Sequence, residues 1–443
     1  MSFLNSSEKL KKLALLGLAI FILILGVVTV FRAALFEVSR TDLTVYLRAA
    51  EAIHNHENIY TVTNLRHWHY VYLPLLAILL TPLTALPLWL NAVIWYALSV
   101  AALIGTFFGL QSLFPGKNFI ANYRPGAKTS NSRKYDSAPV QSNSFWIVLG
   151  SLILALPPIL NTLTRGQLGI ISLYLTLLVF LLDYRGKKFS AGVVLGFAII
   201  LKMSPLLILP VYFILHRNWR ALIGCFLSGL FFGILFPSLV LTPEVNIRYL
   251  VDYFKILSEG SGDLAWKHPL WDELFTLFAG DNQSFYAIAT RLFWKSESVF
   301  RMHSNGLIRS LNLGLSITLL GLLSWIILRG KSFSNFQFDA FKGKALTHVS
   351  QFTEYALLSM IMLFTSPVTQ PHHYTPLMLL GTAAFLNMET SPKLKKILWA
   401  SMMVCLTFFS LGMLIEPLAL IGLPFLGSMV LWLTLLCARL KTA

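Results

Sequence analysis

The chain has 443 residues, 56% of them hydrophobic and 12% charged, with a mean hydropathy of +0.69 and a formal net charge of +16. Soluble domains carry about 25% charged residues, so this composition excludes a water-soluble globular enzyme. The excess of Lys and Arg is scattered through short loops instead of forming one patch, which fits basic cytoplasmic loops and excludes a nucleic-acid surface. Cys225, Cys405 and Cys437 lie in or beside apolar runs without metal-ligand spacing, so no disulfide framework is implied.

Apolar runs such as Leu13 to Phe31 and Leu311 to Leu328 approach the roughly 20 residues that cross a hydrocarbon core. They recur along the whole length, which predicts one all-α polytopic membrane domain over 1–443. Lys9, Lys11 and Lys12 precede the first run, which exceeds a signal-peptide core and has no small-residue cleavage site after it. It reads as a retained anchor with its start in the cytoplasm. Residues 34–88 then form a first outer loop, with a juxtamembrane helix over Val71 to Pro87, and Trp89 to Phe114 is the second span. A basic, Ser/Asn/Pro-rich stretch at 115–144 is predicted as a flexible cytoplasmic insert.

Span 3 is predicted at 145–160, an outer turn at Asn161 to Gly169, and span 4 at 170–183. Two short spans break at Lys202-Met203-Ser204-Pro205, and another covers 221–241. A second long outer loop, 242–305, carries Tyr249, Leu250, Tyr253, Phe254 and Leu257 at helical spacing, with Asp252, Lys255 and Glu259 opposite. That pattern predicts an amphipathic helix on the membrane surface. Five further spans bring the total to about 12. Twelve of the 19 acidic residues fall in the loops 34–88 and 242–305, so the chain places its acidity on one side of the bilayer.

The candidate chemistry lies in the polar loops. Asp42 sits near the water boundary, where a carboxylate can take the proton of an attacking hydroxyl. Glu51 is its rival, and Asp42 can equally cap the helix that follows Thr41. Lys202 is an ionisable group inside an apolar segment, a position that marks function by default, although its stem can also snorkel to the interface. His372 and His373, at the outer end of a span, can donate hydrogen bonds to a departing phosphate. A metal site there lacks nearby carboxylates, and consecutive His side chains diverge on a helix. Arg165 can grip a phosphate with two parallel bonds, next to Gly166 and Gln167; a simple helix–helix turn capped by Asn161 is the alternative.

Taken together these stretches resemble glycosyltransferase family 87. The matching residues are Asp42 to Tyr46 with Arg48 to Ala52 and Tyr60, and Tyr70 to Ala77 through Pro82 and Pro87. Others are Asn161 with Gly166-Gln167, Ala191-Gly192, Leu195-Gly196, Leu201-Lys202 with Pro205, Asn218 to Ala221, Asn282 to Ser284, and Ser366-Pro367 with His372-His373-Tyr374. Leu73-Pro74 stands where the family usually has Pro-Pro, and the 115–144 insert is longer than expected.

The resemblance implies a GT-C fold and an outer-loop aspartate base, here Asp42. It also implies a polyprenyl-phosphate sugar donor, inversion at the anomeric carbon, and a lipid or glycan acceptor. Lys202, His372, His373 and Arg165 are the expected phosphate contacts. Tyr46, Arg48, Glu51, Tyr60, Tyr72, Asn161, Gln167, Trp266, His268, Gln283 and Tyr374 are the expected substrate contacts. No metal cofactor is expected, and the working face is expected on the extracytoplasmic side of the cell membrane. Mannose is the expected sugar; the family's likeness to arabinofuranosyltransferases leaves a furanose as an alternative. A transporter of lipid-linked sugars is the competing class, with the break at Lys202 in its favour and the long outer loops against it.

Overall fold

The computed structural model describes residues 2–35, 41–113, 144–260, 265–301, 306–334 and 340–442. Of the predicted basic insert only Ser144 falls within that set. Among the described residues all regular structure is helical, apart from one isolated antiparallel bridge between Thr63 and His69.

Among the described residues six helices are long and apolar enough to cross a membrane: Lys9–Ala34, Leu88–Gln111, Trp219–Leu241, Gly306–Arg329, Pro392–Leu414 and Leu423–Lys441. A seventh span results if Ser144–Leu154 and Leu156–Arg165, bent by 64° to each other, are counted as one. The protein is therefore a polytopic all-α membrane protein. Part of the shortfall from about twelve lies in shorter apolar helices such as Gly169–Tyr184 and Lys188–Leu201. They sit in the middle of the bundle, where neighbouring helices and not lipid cover them. Leu377–Thr390, for example, is buried at nearly every position up to Met388. The peripheral helices instead leave Leu16, Leu23, Ile24, Val27, Leu311 and Ile317 exposed, as expected where lipid is the solvent.

Between apolar helices lipid supplies no hydrophobic drive, so association rests on close backbone approach through small residues. The pair Lys188–Leu201 and Trp219–Leu230 shows this directly. A Cβ on Gly192 would stand 1.8 Å from the Ala221 carbonyl oxygen, and one on Gly196 2.3 Å from that of Cys225. The Ser228 hydroxyl donates to the Val193 carbonyl across the same seam at 2.7 Å.

Three elements differ from the sequence expectation. The third span breaks at Ala155, because Pro157 and Pro158 suit a helix start and not its interior. The following helix, Leu156–Arg165, contains Asn161, so the predicted turn begins only at Gly166. The segment after Leu73 forms a helix, Pro74–Leu80, and a 3-10 turn, Thr81–Ala85. Leu75, Leu76 and Ala77 are packed inside the protein, while Leu79 stays exposed. The loop helix runs Pro243–Gly260 and docks Tyr249 and Tyr253 on the core while Ile247, Val251 and Phe254 stay exposed. It therefore carries two apolar faces, and Phe254 lies on the outer one.

Candidate active site

The first loop is laced to the turn after Leu156–Arg165. The Asp42 N–H donates to the Arg165 carbonyl at 2.8 Å, and the Thr41 hydroxyl reaches the same oxygen at 3.3 Å. Gly166 closes the helix in the left-handed region at φ +66°, where glycine pays no steric cost. A Cβ there would lie 2.8 Å from Thr41 Oγ1. The Gly166 carbonyl accepts the Trp95 indole N–H at 2.7 Å. Asp42 occupies the cap position of the helix Leu43–His54, yet its side chain makes no capping bond. Thr41 Oγ1 accepts the Leu43 N–H instead, at 3.3 Å, and the carboxylate is left for other partners.

Those partners come from the turn. Asp42 Oδ2 accepts a hydrogen bond from Gln167 Nε2 at 2.5 Å and lies 3.7 Å from Arg165 Nε. Gln167 Oε1 in turn accepts from the hydroxyls of Tyr46 and Tyr72, each at 3.1 Å. Burial pushes the Asp42 carboxyl above its ordinary range, and the Arg165 charge and the Gln167 bond pull part of the way back. Burial likewise pushes the Tyr46 and Tyr72 hydroxyls up, so both remain protonated donors.

Arg165 extends the site towards the turn Pro371–Tyr374. Its Nη1 donates to Gln370 Oε1 at 3.1 Å, and its guanidinium lies 5.7 Å from the centre of the Trp68 ring. The Gln370 N–H donates to His373 Nδ1 at 3.2 Å. That nitrogen is therefore unprotonated, and the ring proton of neutral His373 sits on Nε2. Burial holds both His372 and His373 below the ordinary imidazole range, with Lys202 and Arg165 adding to the effect. Both rings are therefore held in the neutral form. His372 and His373 occupy a 3-10 turn with ring centres 4.3 Å apart; the expected divergence on a helix does not occur.

Lys202 lies at the break between Lys188–Leu201 and Met203–Leu206, 5% exposed. Its Nζ is buried with no hydrogen-bond partner, so the snorkelling alternative is not taken. A small cavity of about 10 Å³ adjoins Lys202, His373, Ser172, Thr176 and Thr375, room for about one water. The Ser172 hydroxyl, Asn161 Oδ1 and His372 Nδ1 are also buried without partners. Native proteins leave few buried polar groups unpaired, and here several gather around one turn and one helix break.

The structure brings together Asp42, Tyr46, Tyr72, Arg165, Gln167, Lys202, His372 and His373, but it separates other expected contacts. Arg48 pairs with Glu51 and Glu57, each at 3.3 Å, on the solvent side. At 100° per residue, Glu51 lies about 140° around the helix from Tyr46, which removes it as a rival to Asp42. Tyr60 donates to the Tyr72 carbonyl at 3.0 Å and packs among Tyr70, Tyr249 and Tyr253. Gln283 donates to the Ala419 carbonyl at 2.8 Å, and Tyr374 to the Gln283 carbonyl at 2.8 Å; both are buried joints between loops. His268 accepts the Leu270 N–H within its own loop, and Trp266 carries the Lys267 and Arg301 charges.

Two residues at the site escape a sequence reading. Gln370 links Arg165 to His373. Glu273 takes the His69 N–H at 2.6 Å and the His69 ring at 2.8 Å, and its charge reaches Asp42. Neither has a local signal for its role, because the Arg165–Gln370 and His69–Glu273 contacts span 205 and 204 positions.

The architecture and the site define a polytopic membrane protein with a carboxylate, two basic side chains and a neutral histidine pair at one end of its bundle. The family model described as glycosyltransferase family 87 matches residues 70–339, more than half of the sequence, and the chain belongs to that family. It is accordingly a membrane glycosyltransferase, acting between a sugar donor and an acceptor. The match covers Tyr72, Arg165, Gln167 and Lys202; Asp42, His372 and His373 lie outside it. No curated protein and no solved structure matches the chain.

Proposed function

We propose that the protein transfers a sugar from a polyprenyl-phosphate donor to an acceptor hydroxyl at the extracytoplasmic face of the cell membrane, with inversion at the anomeric carbon. Mannose is the leading choice of sugar. The observation that carries this reading is the Asp42 carboxylate, held by Gln167 and Arg165 at the bundle end where an unpartnered Lys202 is buried. Asp42 takes the acceptor proton as the acceptor oxygen attacks the anomeric carbon. The bond from that carbon to the phosphate oxygen breaks, and its electron pair leaves with the polyprenyl phosphate. Lys202, Arg165 and the Nε2–H of His373 stabilise the developing charge.

The cavity beside Lys202 has room for a water and not for a phosphate, so donor binding widens it by shifting the segment Met203–Leu206 or the turn Pro371–Tyr374. An apolar groove of about 1190 Å³ between Lys9–Ala34 and Leu88–Gln111 offers an isoprenoid chain a path along the bundle. The fold is read as GT-C, with about twelve passes if the shorter apolar helices and the helices Ala340–Thr365 and Leu377–Thr390 are counted as well. The sidedness rests on the basic residues of the sequence.

Reconstitution in liposomes with radiolabelled polyprenyl-phosphate mannose and candidate lipid or glycan acceptors tests the reading. A new labelled glycoside is expected. Relocation of intact donor across the bilayer without a product would replace the enzyme with a transporter. Label transferred only from an arabinofuranosyl donor would change the sugar and leave the mechanism standing.

A further inference from the structure

Asp42 has two carboxylate oxygens, and the structure treats them differently. Oδ2 takes the Gln167 amide at 2.5 Å and faces Arg165 Nε at 3.7 Å. A base must keep one oxygen for the proton it removes, which makes Oδ1 the reactive one. Which oxygen this is depends on the orientation of the Gln167 side chain. A glutamine amide has a donor end and an acceptor end, and turning it over would set its oxygen against the carboxylate. Two hydroxyls oppose that turn: Tyr46 and Tyr72 both donate to Gln167 Oε1 at 3.1 Å, with their oxygens 3.1 Å from each other.

The tyrosines are themselves fixed. Their rings meet edge to face at 5.2 Å, and Tyr46 packs against Trp95 at 5.6 Å. The Trp95 indole N–H is bonded to the carbonyl of Gly166, the residue before Gln167. The sequence reading grouped Gln167, Tyr46 and Tyr72 with the substrate contacts. Their hydrogen bonds point at the base and at one another.

We propose that Gln167 is a positioning residue, which fixes Asp42 with Oδ1 towards the acceptor, and that Tyr46 and Tyr72 hold its amide in the orientation this requires. The inference rests on Asp42 being the base. It adds a division of labour: these three side chains aim the carboxylate, and the acceptor is bound by other groups. Proton transfer is efficient only when the base is aimed within a narrow geometry. An N–H donated to the carboxylate also favours its charged form, so losing that bond has a signature in pH that losing a substrate contact lacks.

The test uses the full chain in liposomes, with the donor and acceptor that the wild type turns over. Gln167→Met keeps the length of the side chain and removes both hydrogen-bonding ends. The expected result is a kcat about 10–100-fold lower, the scale of a misplaced reactive group, with the KM of acceptor and donor unchanged. The acid limb of the kcat profile moves to higher pH. Tyr46→Phe and Tyr72→Phe each cost little, because one hydroxyl still holds the amide. The double variant loses more than the product of the two single losses.

A raised acceptor KM with an unmoved acid limb would return Gln167 to the substrate contacts and overturn the proposal, as would wild-type kinetics in Gln167→Met. Should Gln167→Met fail to accumulate in the membrane, the tyrosine double variant carries the same readout: a moved acid limb supports the proposal and an unmoved one overturns it. Turnover retained by Asp42→Asn would instead strike at the base assignment itself, which keeps the two failures apart.

Discussion

The two ends of the helix bundle both bury charge, and they handle it in opposite ways. At the end away from Asp42, Arg439 donates to Glu354 Oε1 through Nε at 2.9 Å and lies 2.8 Å from it through Nη2. Glu354 Oε2 lies 3.2 Å from His216 Nε2. Nearby, the Asn218 amide donates to Asp183 at 2.6 Å. These bonds join the helices Ala340–Thr365 and Leu423–Thr442 to the stretch around His216. At the Asp42 end, Lys202 is as deeply buried as Arg439, yet its Nζ has no hydrogen-bond partner. A buried charge is tolerable when paired and costly when not. We read Lys202, left without a hydrogen bond in a transferase, as a group kept ready for an anion that comes and goes. The contrast separates a staple from a site without any appeal to residue type.

If that contrast is right, substitutions at the Asp42 end remove turnover and spare the fold. Asp42→Asn has the largest expected effect, a loss of about 10²–10⁴ in kcat, the scale of general-base catalysis. Membrane insertion and donor binding remain. Detergent-stable protein that binds donor and forms no product is the supporting result. Because burial raises the Asp42 carboxyl above its ordinary range, the wild-type rate falls as pH drops through a value above that of a free aspartate. Asp42 must be deprotonated to act, so the loss lies on the acid side. A profile flat down to the ordinary carboxylate range would contradict this. Lys202→Met comes next, with kcat lower by about 10²–10³, the range found for removing one preorganised electrostatic partner. Thermal stability should be unchanged or higher, because the substitution removes a buried charge that has no hydrogen-bond partner. A destabilised Lys202→Met protein with normal turnover would make Lys202 a staple after all.

Much of this site was legible because charge is rare in a membrane-bound sequence. Lys202 stood out as an ionisable group where solvation is expensive, Asp42 and Arg165 as charges in polar loops beside the bilayer, and the structure groups all three. Their working relations were less legible. Glu51 remained a rival to Asp42 until the helix turned it towards Arg48 on the solvent side. Gln167 was noticed only as a substrate contact, since nothing local shows that its amide faces a residue 125 positions earlier. Tyr60, Gln283 and Tyr374 carry polar groups and were expected to touch substrate, yet each is consumed by a backbone carbonyl within the fold. In the fold itself, the helix start at Pro157-Pro158 was written in the sequence, but the apolar run around it disguised the break. The interior helices were harder to count. Surrounded by protein instead of lipid, they need neither full spanning length nor uniform apolarity.

The far end supplies the complementary test, with the smallest expected effect on turnover. Arg439→Met leaves Glu354 charged and buried with only His216 beside it. Removing one member of a buried pair costs about 3–5 kcal/mol, so the midpoint of denaturant unfolding should drop clearly. The kcat of the protein that remains folded should match wild type, because nothing at Asp42, Lys202 or His373 has changed. Replacing both partners, Glu354→Leu with Arg439→Leu, removes the stranded charge and should recover most of the stability, since apolar replacements of whole buried pairs are often neutral. If Arg439→Met instead lowered kcat at full stability, the far group would be coupled to the chemistry, and the distinction between a paired staple and an unpaired site would fail at its simplest point.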